Sequence, residues 1–334
     1  MLTVAVTGPT GEIGKPFIAT LERSEQIGRI VGMARSPFDP AEHGWEKVEY
    51  RQGDVLDREA IDELVAGADV VVHLAFVIVA GRGKSREINL VGSRNVFDAA
   101  VAAKAKRLVY TSSVAAYGFD ARLPALLTED VMAVGADRHP YSAQKAEVEA
   151  ELVEALAGSK TLSYVFRPCI VAGPQAPLLV DSVPMSGLGA HLPTPARSVL
   201  RRLSPLRPVL PDPGVSFQLV HHDDVATALC AAVLGDGDPG VYNLAGDGAV
   251  TITDLAHELG WHAVPAPKAA VGATAELVAR LPLMPDRAAW IEALRRPVLM
   301  DTARARRELR WRPQHDARET LRETVAAFRD EDNG

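Results

Sequence analysis

The stretch Leu2-Thr3-Val4-Ala5-Val6-Thr7 runs straight into Gly8-Pro9-Thr10-Gly11-Glu12-Ile13-Gly14, and its reading decides the fold. Residues 2–7 form a short β-branched run that suits a strand buried on both faces of a parallel sheet. A glycine turn and a helix near 13–22 follow without a break. Each glycine then has its own task. Gly8 permits the tight turn, Gly11 lets a pyrophosphate approach the backbone, and Gly14 allows helix and strand to pack closely. The helix N-terminus is left aimed at the phosphates. The spacing is G-x-x-G-x-x-G rather than G-x-G-x-x-G.

Outward from this unit, strands are expected at 30–34, 48–51, 70–74, 108–111 and 162–167, with helices at 58–65, 88–103 and 141–157 between them. This alternation predicts an α/β chain built on a doubly wound parallel sheet. From 174 to 213 prolines and glycines break up short apolar pieces, a texture that suits a segment covering a substrate. Helical character returns at 225–234, 253–259, 269–279 and 318–329, interrupted by a strand-like run at 241–245. The expected division is a dinucleotide-binding domain at 1–172 and a smaller, mainly substrate-binding α/β domain at 173–334. Segments around 215–245 are expected to return to the main sheet.

The chain has 334 residues and a formal net charge of −7, with no long basic tract. That length can bury a large core, and the charge offers no footprint for nucleic acid or an anionic membrane. The apolar run 70–80 is broken by His73 and is too short to span a bilayer. Cys169 and Cys230 both sit among apolar neighbours, as reduced buried thiols do in a cytoplasmic protein. The expected partner is a small-molecule substrate, with a homodimer left open.

Chemistry enters at His139-Pro140-Tyr141-Ser142-Ala143-Gln144-Lys145. Tyr141 and Lys145 are four apart on an expected helix, so phenol and ammonium project from one face toward the same bound molecule. A cation beside a phenol favours the phenolate and moves its titration toward working pH.

Taken in order, these residues resemble the extended, or epimerase/dehydratase-like, group of the short-chain dehydrogenase/reductase superfamily. The resemblance rests on Thr7 to Gly14 and on Gly53-Asp54-Val55, His73-Leu74-Ala75 and Asn89-Leu90-Val91-Gly92-Ser93. It continues through Ser112-Ser113-Val114-Ala115-Ala116-Tyr117-Gly118, Tyr141 to Lys145, Arg167-Pro168 and Val220 to Ala226. It implies a Rossmann-like sheet and a Ser113-Tyr141-Lys145 triad. In such a triad Ser113 hydrogen-bonds the substrate oxygen and Tyr141 moves its proton. Lys145 holds the cofactor ribose and lowers the Tyr141 pKa. Ser112 is the rival to Ser113, and strand alternation turns it to the other face.

For the cofactor, the resemblance implies a phosphate cradle from Gly8, Thr10, Gly11, Glu12, Ile13 and Gly14, and adenine contacts from Asp54 and Val55. Leu74, Ala75 and Phe76 would line the crevice, Asn89 would steady it, and Ser112, Pro168, Ile170 and Val171 would complete the lining. Leu74 and Ala75 read equally well as core. No acid follows the second strand to grip a ribose diol. Arg35 stands there instead, which favours NADP over NAD, although an exposed surface arginine fits the same position.

Departures from the family pattern narrow the reaction. Val114 and Ala115 occupy the place of the Asp-Glu pair that drives elimination in sugar-nucleotide dehydratases. Ile170 stands where many nucleotide-sugar enzymes carry an Asn that addresses the substrate's nucleotide. The resemblance therefore points to an NAD(P)-dependent oxidoreductase that interconverts a carbonyl and an alcohol on a small, mainly apolar substrate. Residues 76–79 and 178–180 could wall such a pocket. The alternatives are a sugar-nucleotide epimerase that retains its NAD and a non-catalytic dinucleotide sensor. Arg197, Arg201, Arg202 and Arg207 could bind an anionic substrate group or form a solvated face. No metal site is expected at His221-His222-Asp223-Asp224, because adjacent strand side chains diverge, and Asp223 or Asp224 is expected to cap a helix.

Overall fold

Seven apolar runs pair in parallel, which requires both faces of the resulting sheet to be covered. The computed structural model describes residues 1–78, 82–120, 122–137, 139–176, 179, 208–267 and 298–333. Strands β1 (Leu2–Thr7), β2 (Ile27–Ala34), β3 (Val48–Gln52), β4 (Val70–His73), β5 (Arg107–Thr111), β7 (Leu162–Pro168) and β11 (Gly240–Leu244) form one sheet in the order β11-β7-β5-β4-β1-β2-β3. The chain starts at β1, winds out to β3, returns to β4 beside β1, and winds out the other way. The direction reverses between β1 and β4, and the crevice at such a switch point is where doubly wound sheets hold ligands.

Strand alternation divides the core into two layers. Val4 and Val6 join Phe17, Ile18 and Leu21 of helix α1 (Gly14–Glu22) and Val225 and Leu229 of helix α5 (His222–Leu234). Ala5 and Val71 face the other way, onto Ile61 and Leu64 of α2 (Arg58–Val65), Phe97 of α3 (Arg82–Ala102) and Val148 and Leu152 of α4 (Pro140–Ala155). Phe17, Ile18 and Leu21 are fully buried, and burying each such side chain contributes about 1.5–3 kcal/mol. A third cluster unites Phe217, Leu219, Leu255, Leu321 and Val325 in the C-terminal part.

Three pairs of short parallel strands lie outside the main sheet: β6 (Leu126–Leu127) with β13 (Leu299–Met300), β8 (Ile170–Ala172) with β10 (Leu219–His221), and β9 (Val209–Asp212) with β12 (His262–Pro265). At two to four residues they are too short to carry a legible period. Helices α6 (Ile252–Leu259), α7 (Ala303–Glu308) and α8 (Ala317–Asn333) complete the described elements. The long strands and helices fall close to the sequence expectations. Helix α3, however, starts at Arg82 rather than 88, since the polar run 82–87 gives no apolar periodicity. The expected helix at 269–279, the four arginines from Arg197 to Arg207, and all but Leu179 of 178–180 lie outside the described residues.

Candidate active site

The ends of β1, β2, β4 and β5 bring the site together. Gly8 has a φ of 76°, in the left-handed region, and a Cβ there would lie 2.8 Å from the Ala75 backbone nitrogen. A Cβ on Gly14 would lie 2.2 Å from the Gly8 carbonyl oxygen, so this glycine is required by the turn itself rather than by the strand. Gly11 differs from both. It is exposed, and the nearest atom to its would-be Cβ is 3.6 Å away, which leaves its backbone open to an incoming group. Helix α1 has no side-chain cap and no acid in its first turn; the Lys15 N–H is taken by the Gly11 carbonyl at 3.0 Å and Pro16 carries none, so what the helix start offers an anion is mainly its dipole beside the open backbone of Gly11. Thr10, Glu12 and Ile13 are half-buried around the same turn. This cradle fits a dinucleotide pyrophosphate.

The Gly8 N–H donates to the Met33 carbonyl at 2.9 Å, which sets the turn beside the end of β2. Just beyond, the Tyr50 hydroxyl donates to the Ala34 carbonyl at 3.0 Å and Gln52 Nε2 to the Arg35 carbonyl at 2.8 Å. The backbone of Arg35 is thereby held while its side chain is exposed. Asp54 Oδ1 accepts the Leu56 N–H at 3.0 Å, and Val55 is buried against Gly92, where a Cβ would meet Val55 at 2.4 Å. Leu74, Ala75 and Phe76 are half-buried on the loop after β4. Asn89 clamps that loop, accepting the Val77 N–H at 2.8 Å and donating to the Val77 carbonyl at 2.9 Å and to Gln144 Oε1 at 2.7 Å. Pro168 is buried at the end of β7, and Ile170 and Val171 are half-buried on β8.

Ser113 is the N-cap of a short 3-10 helix, Val114–Tyr117, and its Oγ accepts the Ala115 N–H at 3.2 Å. Ser142 Oγ, from the first turn of α4, donates to the Ala115 carbonyl at 2.6 Å and docks that turn on the helix. Ser113 is thus placed within hydrogen-bonding reach of the Tyr141 phenol. Ser112 turns away, and its Oγ donates to Glu149 Oε1 at 2.5 Å. Alternation at a strand end accounts for the difference.

Lys145 is buried, and burial pulls its ammonium down to about 7, with the Glu149 carboxylate opposing the shift. Its Nζ donates to the Thr111 carbonyl at 2.9 Å and lies 3.7 Å from the centroid of the Phe76 ring. It is 6.0 Å from the Tyr141 ring centroid. Burial raises the Tyr141 phenol, and the Ser113 hydrogen bond draws it back down. The ammonium is turned onto Phe76 and the β5 carbonyl.

A pH dependence follows. Lys145 titrates at about 7 when folded against an ordinary 10.5, so between these values the unfolded chain holds the proton and the folded chain does not. Stability from this group therefore rises with pH across that window. A cofactor gripped by the ammonium must restore the proton, so its affinity should fall as pH rises above about 7. Calorimetry in buffers of different ionisation enthalpy should register proton uptake at pH 8, and a Lys145→Met protein should lose both the uptake and the slope. Uptake unchanged in that variant would remove Lys145 from cofactor binding.

Several functional neighbours were not legible as such in the sequence. Glu149 and Arg167 form a buried ion pair, with Arg167 Nη2 to Glu149 Oε2 at 2.5 Å and the guanidinium over the Tyr117 ring at 4.4 Å. Glu149 follows Lys145 by four residues on α4, and this 141-145-149 face was the available signal. His73 bonds Thr7 Oγ1 at 2.7 Å and Ser93 Oγ at 2.9 Å, and burial drops its pKa to about 3. It ties the end of β1 to α3 as a neutral ring.

The His221-His222 region also departs from expectation. Neither aspartate is the helix cap; that residue is His221, whose Nδ1 accepts the Asp223 N–H at 3.2 Å. Asp224 is buried and accepts the Gln314 N–H at 2.7 Å and His315 Nδ1 at 3.0 Å. The two adjacent histidines do not diverge, since one ends β10 and the next begins α5, and their ring centroids are 4.1 Å apart.

The model of the NAD dependent epimerase/dehydratase family matches residues 4–245. The chain belongs to this family. A human 3 beta-hydroxysteroid dehydrogenase type 7 is 33% identical over 164 residues, 46% of this chain and 44% of that protein. An L-arabinose 1-dehydrogenase (NAD(P)(+)) of Haloferax volcanii is 32% identical over 146 residues, 42% of this chain and 54% of that protein. The chain thus matches about half the length of these curated relatives. The crystal structure of a UDP-glucuronic acid 4-epimerase from Bacillus cereus in complex with NAD superposes with a TM-score of 0.72 over 99% of both chains at 15% identity, a likeness of fold. Within the family, this chain sets Val114 and a buried Ala115 immediately after Ser113, and a half-buried Ile170 on β8. None of the three can donate or accept through its side chain.

Proposed function

We propose that the protein is an NAD(P)-dependent oxidoreductase interconverting a carbonyl and an alcohol on a small, mainly apolar substrate. The observation that carries this reading is the pairing of the buried Ser113, just past the end of β5, with the half-buried Tyr141, one helical turn from the buried Lys145. Ser113 orients the carbonyl oxygen, Tyr141 gives that oxygen its proton, and Lys145 binds the ribose and replenishes the local positive charge. The bound nicotinamide supplies the hydride, so the carbonyl is reduced as the cofactor is oxidised. Phe76, packed edge-on against Tyr141 with centroids 5.6 Å apart, contributes an apolar wall.

The division at 172 into a cofactor part and a mainly substrate part belongs to this reading, as does a cytoplasmic setting, supported by the free buried thiols of Cys169 and Cys230. So does a homodimer, supported by the exposed Val91 and Val153 on the neighbouring helices α3 and α4.

Substrate class is tested with a panel. Ketones and aldehydes with apolar or aromatic bodies should change nicotinamide absorbance stoichiometrically, whereas nucleotide sugars should bind poorly, since their buried phosphates would lack partners. Tight calorimetric binding of a nucleoside diphosphate, lost on removing Arg201 or Arg207, would overturn the assignment in favour of an epimerase.

Preference for NADP is the second part of the proposal and rests on the exposed Arg35 at the end of β2. Arg35→Ala should weaken NADP by about tenfold or more, the loss of one charge-assisted phosphate contact, and leave NAD almost unchanged. Equal effects on the two cofactors, or none, would place Arg35 outside a phosphate site.

A further inference from the structure

We propose that His221, His315 and Glu323, carried by elements other than those that hold Ser113, Tyr141 and Lys145, form a binding site for a divalent transition metal of the zinc class. One ligand atom from each lies within 4.8 Å of the others, and the His221 and His315 rings stack with centroids 3.9 Å apart. Glu323 Oε2 is already 3.2 Å from His221 Nε2, close to the separation of about 3.4 Å between two ligands on a tetrahedral zinc.

Three further features point to a ligand there. His221 is 2% exposed, and its Nε2 makes no hydrogen bond among the described residues. Gly173 packs directly against the two rings, where a Cβ would lie 2.5 Å from His222 Cδ2 and 2.8 Å from His221 Nε2, so no side chain at this position comes between the imidazoles and the chain turn. His315 Nδ1 donates to the buried Asp224 carboxylate, which also accepts two backbone N–H groups. That pattern assigns the proton of His315 to Nδ1 and leaves the Nε2 lone pair free, the carboxylate–imidazole arrangement that orients metal-bound histidines.

Two nitrogens and one carboxylate oxygen suit zinc, with a fourth position left for water. Magnesium, which prefers oxygen ligands, fits poorly. His221 Nδ1 now accepts the Asp223 N–H. Ligation through Nε2 requires the ring proton on Nδ1, so the Asp223 N–H would have to leave that nitrogen and the Asp223 carboxylate, whose Oδ2 is 3.7 Å away, would have to close on it. His222 stands beside the site with Nδ1 on Asp223 Oδ1 at 2.9 Å and Nε2 accepting the Gln175 N–H at 3.2 Å. A metal here would fasten β10 and the start of α5 to α8, next to the Gly173 turn that follows β8. Its role would be structural.

The test uses the full chain, stripped with a chelator and titrated with zinc chloride by calorimetry, with magnesium chloride as the control. One zinc per chain is expected, together with a raised thermal midpoint and no response to magnesium. Glu323→Gln should weaken zinc by at least about tenfold and His315→Ala should abolish saturable binding, while both retain cofactor binding. If His315→Ala fails to fold, Glu323→Gln alone decides. Absence of saturable zinc binding, or an affinity unchanged by Glu323→Gln, would overturn the proposal.

Discussion

Tyr141→Phe is expected to lower turnover by about 100-fold or more while leaving folding and cofactor affinity near their original values. The substitution removes one hydroxyl. The ring's packing against Phe76 survives, and the helix is unaffected, because α4 owes its position to Val148 and Leu152 in the core and to Ser142 on the Ala115 carbonyl. Only the hydroxyl proposed to move the proton, with its bond to Ser113, is lost. Steady-state rates with the best carbonyl substrate from the panel, alongside cofactor titration by fluorescence, check the result. Turnover within about threefold of the parent would reject Tyr141 as the acid and with it the triad.

Glu149→Ala should be the most destabilising single change near the site. It strands the Arg167 guanidinium, whose side chain is 5% exposed, and leaves the Ser112 hydroxyl without its acceptor. Breaking a buried pair from one side costs about 3–5 kcal/mol, because the remaining charge cannot return to water. Urea unfolding should show that loss, and a change of less than about 1 kcal/mol would mean that Arg167 finds other partners. Glu149→Gln carries a second readout. The Glu149 carboxylate is the charge that supports the Lys145 ammonium, so this variant should move the pH dependence of cofactor affinity to lower pH. A stability loss without that movement would confine Glu149 to a structural role.

The elements most legible in the sequence were those whose signal is local. Residues 2–14 had to be strand, turn and helix, because a β-branched run, a glycine at a left-handed φ and an uncapped helix start each depend on a few neighbouring residues. The same holds for α2, whose Asp57 cap and apolar spacing are contiguous. Tyr141 and Lys145 share a helix face by spacing alone.

Where a side chain's role depends on residues distant in sequence, the tertiary structure decided it. Lys145 was expected beside the phenol, but the Thr111 carbonyl, 34 positions earlier, and the Phe76 ring hold its ammonium elsewhere. Alternation already turned Ser112 and Ser113 to opposite faces, but that the first meets Glu149 and the second Tyr141 was decided by the approach of α4. His221 and His222 looked like an isolated pair until folding brought His315, 94 positions later, onto the first of them. Backbone geometry and apolar periodicity are properties of short segments and can be read from them. The ionisation, hydrogen bonding and ligand geometry of a buried polar group are set by what folding places around it, and in this chain those partners come from the loop after β4, from β5 and α4, and from the segment that leads into the C-terminal helix.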